Sequence, residues 1–207
     1  MKLYYSPGAC SLAPHIALRE AQLPFELVRT STKSHKLADG TDFYAINSKG
    51  YVPVLEMEPA DGSQRLTEVP VVLQYIADRA PQFNLVPAWG SMERYRVMEW
   101  LNFVTSELHK GFAPLFKPTS TEDVKAAARE GLLGRLAWLD GQLADGRHFL
   151  AGETFTVADA YLFTVINWGQ FVGIDLAQWP HVQAYAARVA ARPAVQAALE
   201  AEGLLKK

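Results

Sequence analysis

Lys2-Leu3-Tyr4-Tyr5-Ser6-Pro7-Gly8-Ala9-Cys10-Ser11 writes a change of structure into ten residues. Four β-prone residues are stopped by the turn formers Ser6, Pro7 and Gly8, and residues 11–21 then carry a helical pattern. Pro14 suits that helix because it falls in the first turn, where a missing N–H is harmless. The single cysteine of the chain therefore stands at a helix start, where free backbone N–H groups and the helix dipole favour a thiolate. A lone cysteine is more often a small buried hydrophobe. Its place ahead of a helix tips the balance toward chemistry, and a thiol pKa below the free value of about 8.5 is expected. Three residues on stands Ala13, so there is no dithiol motif, and any disulfide at Cys10 must join another molecule.

Working outward, residues 25–28 alternate as a second strand, and residues 52–57 form a third with Pro53 near its head. Asp61-Gly62 marks a tight turn, after which Arg65-Leu66 returns as a short strand. Residues 71–79 close the unit as a helix with Val72, Tyr75 and Ile76 on one face. The order β-α-β then β-β-α describes a small α/β domain over residues 1–80. Residues 81–91 read as a linker, and residues 92–207 as an all-helical domain. Helical segments are expected at 93–110, 122–144, 156–169, 180–192 and 194–202. The third of these opens with a capping box, Thr156 and Asp159.

The formal net charge is -2, and no basic stripe is present to track a phosphate backbone, so nucleic acid is not an expected partner. The most apolar stretch, residues 158–174, is interrupted by Asp159, Asn167 and Gln170 and is too short to span a bilayer. The N-terminus shows no signal-peptide core, and one cysteine suits a reducing compartment, so a cytoplasmic protein without membrane contact is expected. The histidines lack metal-ligand spacing, which implies no metal, and neither a dinucleotide fingerprint nor a phosphate loop occurs.

Two further groups can carry chemistry. Thr67-Glu68-Val69-Pro70 leads into a helix, and its plain reading is a capped N-terminus. Its functional reading is a corner for a zwitterion, with the helix start facing an anion and Glu68 an ammonium group. Asn102, Ser106 and His109 share one helix face at i, i+4 and i+7, with Glu107 and Lys110 beside them. A polar stripe is usually solvated surface; hydrogen-bonding groups of this kind also suit a cleft wall.

Taken together, the residues resemble a known family. The opening Lys2 to Ser11 motif is similar to the start of the bacterial beta-class glutathione transferases. So are Asn47 with Lys49-Gly50-Tyr51-Val52-Pro53-Val54-Leu55, Thr67-Glu68, and Trp100-Leu101-Asn102-Phe103 with Glu107-Leu108-His109-Lys110-Gly111-Phe112. Phe155 to Phe163 resembles the helix-capping signature of the wider superfamily. The resemblance covers the full chain in order. It implies a thioredoxin-like N-terminal domain, an all-α C-terminal domain, the cytosolic glutathione transferase fold and a homodimer.

Function is implied by the same resemblance. Glutathione is a co-substrate, no further cofactor is required, and the second partner is a small hydrophobic electrophile. Pro53 would be cis, and Val52 would pair with the cysteinyl part of glutathione. Glu68 and the Val69 backbone would hold the γ-glutamyl end. Cys10 would hydrogen bond to the glutathione sulfur or form a mixed disulfide, so thiol-disulfide exchange or peroxide reduction could share the site. Cys10, Ser11 and His109 would stabilise the thiolate. Ser106, Glu107, Leu108 and His109 would close the site, and Asn102 would reach the glutathione of the partner subunit. Phe112, Phe116 and Trp168 are expected to line the electrophile pocket. Two positions depart from the pattern. Val69 replaces a common serine, and His35 falls where relatives use a lysine for the glycyl carboxylate, with Lys33 and Lys36 nearby. A neutral histidine can donate one hydrogen bond but adds charge only when protonated. A non-catalytic adaptor is the rival reading; the joint presence of Cys10, Glu68 and the 102–109 stripe favours the enzyme.

Overall fold

The computed structural model describes residues 1–57 and 64–205, so the expected Asp61-Gly62 turn lies outside the described residues. The chain divides into two compact units, Met1–Val86 with Arg192–Lys207, and Pro87–Ala191.

The first unit is built on β1 (Lys2–Tyr5), α1 (Leu12–Glu20), β2 (Glu26–Arg29), β3 (Val54–Glu56), β4 (Arg65–Leu66) and α2 (Val69–Asp78). The strands order β2-β1-β3-β4. β1 runs parallel to β2, as a crossover through α1 requires, and antiparallel to β3, which pairs antiparallel with β4. This is the expected β-α-β then β-β-α order, with ends moved by a residue or two. β1 is central, so Leu3, Tyr4 and Tyr5 are all buried rather than alternating. Tyr4, Phe43, Val52 and Val54 form one cluster, which anchors the segment leading into β3. A short 3₁₀ turn, Phe43–Ala45, is capped by Asp42 accepting from the Tyr44 N–H.

The second unit holds α3 (Met92–Phe103), a π-helical segment (Val104–His109), α4 (Lys110–Phe116), α5 (Glu122–Leu143), α6 (Val157–Ile166), α7 (Gly169–Val172) and α8 (Pro180–Ala190). The expected regular helix over 93–110 is corrected here: α-helical winding stops at Phe103. The Thr105 hydroxyl donates to the Leu101 carbonyl at 2.8 Å and the Ser106 hydroxyl to that of Asn102 at 3.1 Å. Such back-bonding competes with the backbone ladder and accompanies the wider winding. On α5, Leu132, Leu136, Leu139 and Leu143 are buried, as their spacing predicts. α6 is buried along its whole length, with Asp159 reaching back to the Thr156 N–H at 2.8 Å.

A last helix, α9 (Pro193–Ala201), packs on α1 within the first unit. The sequence reading placed it with the helical domain. No helix among the described residues is long and apolar enough to cross a membrane.

Candidate active site

Cys10 sits between the β1 turn and α1. Its thiol donates to the Val52 carbonyl, with Sγ 3.2 Å from the oxygen. Val52 is buried and joined to Pro53 by a cis peptide bond, and its N–H has no partner among the described residues. The expected thiolate is corrected. Burial, above all, and the Glu68 carboxylate push the Cys10 thiol up to about 12. The N–H groups of Cys10 and Ser11 do pull it down, as a helix start should, but they are outweighed. Ser11 is fully buried and is corrected as a donor to ligand. Its hydroxyl accepts from the Ser6 N–H at 3.1 Å and donates to the Ser6 carbonyl at 3.3 Å, so it braces the turn.

At the head of α2, Glu68 has φ 67° and ψ 115°, a strained backbone for a residue with a side chain. Its carbonyl accepts from both Val71 and Val72, each at 3.0 Å. Pro70 has no N–H, so the Val69 N–H is the donor left over in that first turn. The Glu68 carboxylate is exposed and takes the Lys49 ammonium, whose Nζ also lies 2.7 Å from the Thr67 hydroxyl.

His35, half-buried at φ 51°, lies with its ring against Tyr44, centroids 4.8 Å apart. Its Nδ1 is 2.8 Å from the Gly50 carbonyl, which can only accept, so Nδ1 carries a proton. The one hydrogen bond that neutral His35 can donate is therefore already made, and only a protonated ring has an Nε2 donor to offer. Gly50 must be glycine: its φ is 72°, and a Cβ there would lie 2.4 Å from a Tyr44 ring carbon. Lys33 and Lys36, with Arg29, line a depression of about 510 Å³ that His35 does not line.

The helical unit holds the remaining candidates. Asn102 and Ser106 are exposed neighbours. His109 is not on their open face: its Nδ1 is 2.6 Å from the Tyr161 hydroxyl, and its ring stands edge-on to Trp168 at 4.8 Å. Phe112 and Phe116 complete an aromatic group around Trp168, at 5.8 and 5.9 Å. Phe112 is fully buried and Phe116 is exposed, so Phe116 rather than Phe112 can meet a ligand. Leu108 is corrected: its side chain is core, at 0% exposure. Glu107 is held by Arg135 on α5, 2.6 Å from its Nε.

Models for two known domains match this chain: "Glutathione S-transferase, N-terminal domain" over residues 8–79 and "Glutathione S-transferase, C-terminal domain" over residues 103–193. The glutathione S-transferase GstA of Escherichia coli O157:H7 is 46% identical, over 99% of this chain and 100% of its own. The chain belongs to the glutathione S-transferase family. A beta-class glutathione S-transferase structure from Sphingomonas chungbukensis superposes with a TM-score of 0.94 at 46% identity, covering 99% of this chain and 100% of that one. A sphingomonad glutathione S-transferase complexed with glutathione does so at 0.93 and 50%, with the same coverage. The protein is thus a glutathione transferase of bacterial beta type, with a thioredoxin-like domain and an all-α domain. It binds glutathione, activates its thiol and transfers it to small electrophiles.

Sequence reasoning missed three partners in this glutathione transferase: Lys49 on Glu68, Tyr161 on His109, and the Val52 carbonyl on Cys10. No local pattern reveals them, because the pairs lie 19, 52 and 42 residues apart.

Proposed function

We propose that glutathione lies extended along the segment before β3, its cysteinyl part paired with Val52 and its sulfur beside Cys10. Glu68 then receives the γ-glutamyl ammonium, and the Val69 N–H receives the adjoining carboxylate. The observation that carries this reading is the pair of donors without a partner among the described residues, the Val52 and Val69 N–H groups, together with the Cys10 thiol held at the Val52 carbonyl. An extended peptide supplies acceptors for the first as a strand does, and an α-carboxylate suits the second at a helix start.

In the reaction the glutathione sulfur gives its electron pair to an electrophilic carbon. A C–S bond forms, the leaving group departs with its bonding pair, and the thiol proton passes to solvent. Lowering the glutathione pKa favours the attacking thiolate by about 1.4 kcal/mol per unit. A Cys10 thiol that stays protonated serves this as a donor, turning from the Val52 carbonyl to the glutathione sulfur. Disulfide exchange and peroxide reduction through Cys10 need its thiolate, so they are slower side reactions of the same sulfur.

The α/β unit is the glutathione-binding domain, and the His109, Phe116 and Trp168 group of the helical unit receives a hydrophobic electrophile. Asn102 and Ser106 supply polar contacts in a homodimer acting in the cytoplasm. Calorimetric titration with glutathione and conjugation of chlorodinitrobenzene test the reading together. Glu68→Gln should bind at least about tenfold more weakly, the scale of a lost charge-assisted hydrogen bond. Full affinity in that variant overturns the reading.

A further inference from the structure

The carboxylate assigned to the substrate ammonium already has an ammonium on it. Lys49 Nζ contacts Glu68 Oε1, sits 2.7 Å from the Thr67 hydroxyl and stands 5.5 Å above the Tyr51 ring. An ionised carboxylate, a hydroxyl oxygen and an aromatic face form a complete set of partners for a primary ammonium ion. The Glu68 side chain does not cap its own helix, and its backbone carbonyl is used by Val71 and Val72, so the carboxylate is held in place for a cation. Lys49 reaches it from the loop before β3, while Glu68 projects from the head of α2, and both side chains stay partly exposed, at 38% and 55%. The contact can therefore open without unpacking any core.

We propose that Lys49 is a tethered competitor for the substrate's amino group: glutathione binds by exchanging its own ammonium for that of Lys49 on Glu68. The inference rests on the reading of Glu68 given above. A ligand that brings its own ammonium must displace Lys49 to reach Glu68, whereas a ligand lacking an α-amino group leaves the Lys49 contact in place. Lys49 is thus a limit on the affinity for glutathione in particular. It also keeps the Glu68 charge compensated in the free enzyme, when no substrate is present to do so.

The test is calorimetric titration at low salt with two ligands, glutathione and glutathione deaminated at its γ-glutamyl end. Four proteins are compared: the unaltered chain, Lys49→Met, Lys49→Arg and Glu68→Gln. Lys49→Met should tighten glutathione about three- to fivefold, the scale an exposed ion pair allows. It should leave the deaminated ligand unchanged, and Lys49→Arg should match the unaltered chain. If Lys49→Met binds glutathione equally or more weakly, Lys49 is neutral or attractive and the proposal falls. Glu68→Gln separates the two readings. Lost affinity there with no gain in Lys49→Met sinks the competitor alone, whereas full affinity there sinks the Glu68 assignment and the competitor with it.

Discussion

At the scale of single residues, Cys10 shows how two effects of opposite sign are decided by magnitude. N–H groups at a helix start lower a thiol pKa, while burial and a nearby carboxylate raise it, and here the second set wins. The thiolate fraction should accordingly rise tenfold per pH unit with no plateau near 8.5. Iodoacetamide should modify Cys10 more slowly than free cysteine at neutral pH, with the rate still climbing above pH 10. A plateau below pH 9 would show a depressed thiol instead. Glu68→Gln, which removes the charge that raises the thiol pKa, should speed alkylation at every pH. The position of Cys10 was legible in the sequence, whereas its ionisation was not, because the Val52 carbonyl and the Glu68 carboxylate that act on it come from far along the chain. His35 behaves similarly. Its neutral ring has its N–H on Gly50, so only the protonated ring offers a donor to a ligand carboxylate. His35→Lys, which places an ammonium there, should tighten glutathione in calorimetric titrations, and unchanged affinity removes His35 from the site.

At the scale of elements, caps and turns declared themselves because they are local. The capping box at Thr156 and Asp159 needs only four consecutive residues to be seen. Its full extent needed the fold: Asp159 also accepts from the Leu150 N–H at 2.8 Å and the Tyr185 hydroxyl at 2.9 Å, with no exposure to solvent. Asp159→Ala should therefore cost at least about 2 kcal/mol, since several buried donors lose their acceptor together. A loss of only a few tenths of a kcal/mol by urea unfolding would show that water replaces the carboxylate. The π segment went unread for the opposite reason. Thr and Ser are common on helix surfaces, and the spacing of Asn102, Ser106 and His109 fits a regular helix. Only back-bonding to Leu101 and Asn102 reveals the wider turn that sends His109 toward Tyr161 and Trp168.

At the scale of the whole molecule, the first unit is assembled from both ends of the described chain. Glu202, just past α9, is buried with one oxygen 2.9 Å from His15 Nδ1 and the other 2.9 Å from the Gly8 N–H. Arg19 Nε donates to His15 Nε2 at 2.9 Å, which fixes the histidine as the neutral Nδ1–H tautomer. Arg192 grips Glu20 with two nitrogens, at 2.6 and 2.8 Å. Glu202→Ala would take the acceptor from the buried His15 Nδ1–H and one hydrogen bond from the half-buried Gly8 N–H, a loss of about 2 kcal/mol by chemical denaturation. It should also loosen the turn two residues ahead of Cys10, seen as faster amide exchange at Gly8; unchanged exchange would confine the effect to packing. A consequence follows for how the protein is made. Translation delivers residues 1–86 first, but the strap that completes their unit only after Pro87–Ala191 has been synthesised. At roughly 5–20 residues per second that wait is on the order of ten seconds. Through it the nascent sheet carries an α1 flank with nothing yet to cover it, so the domain that is translated first is the last to finish folding.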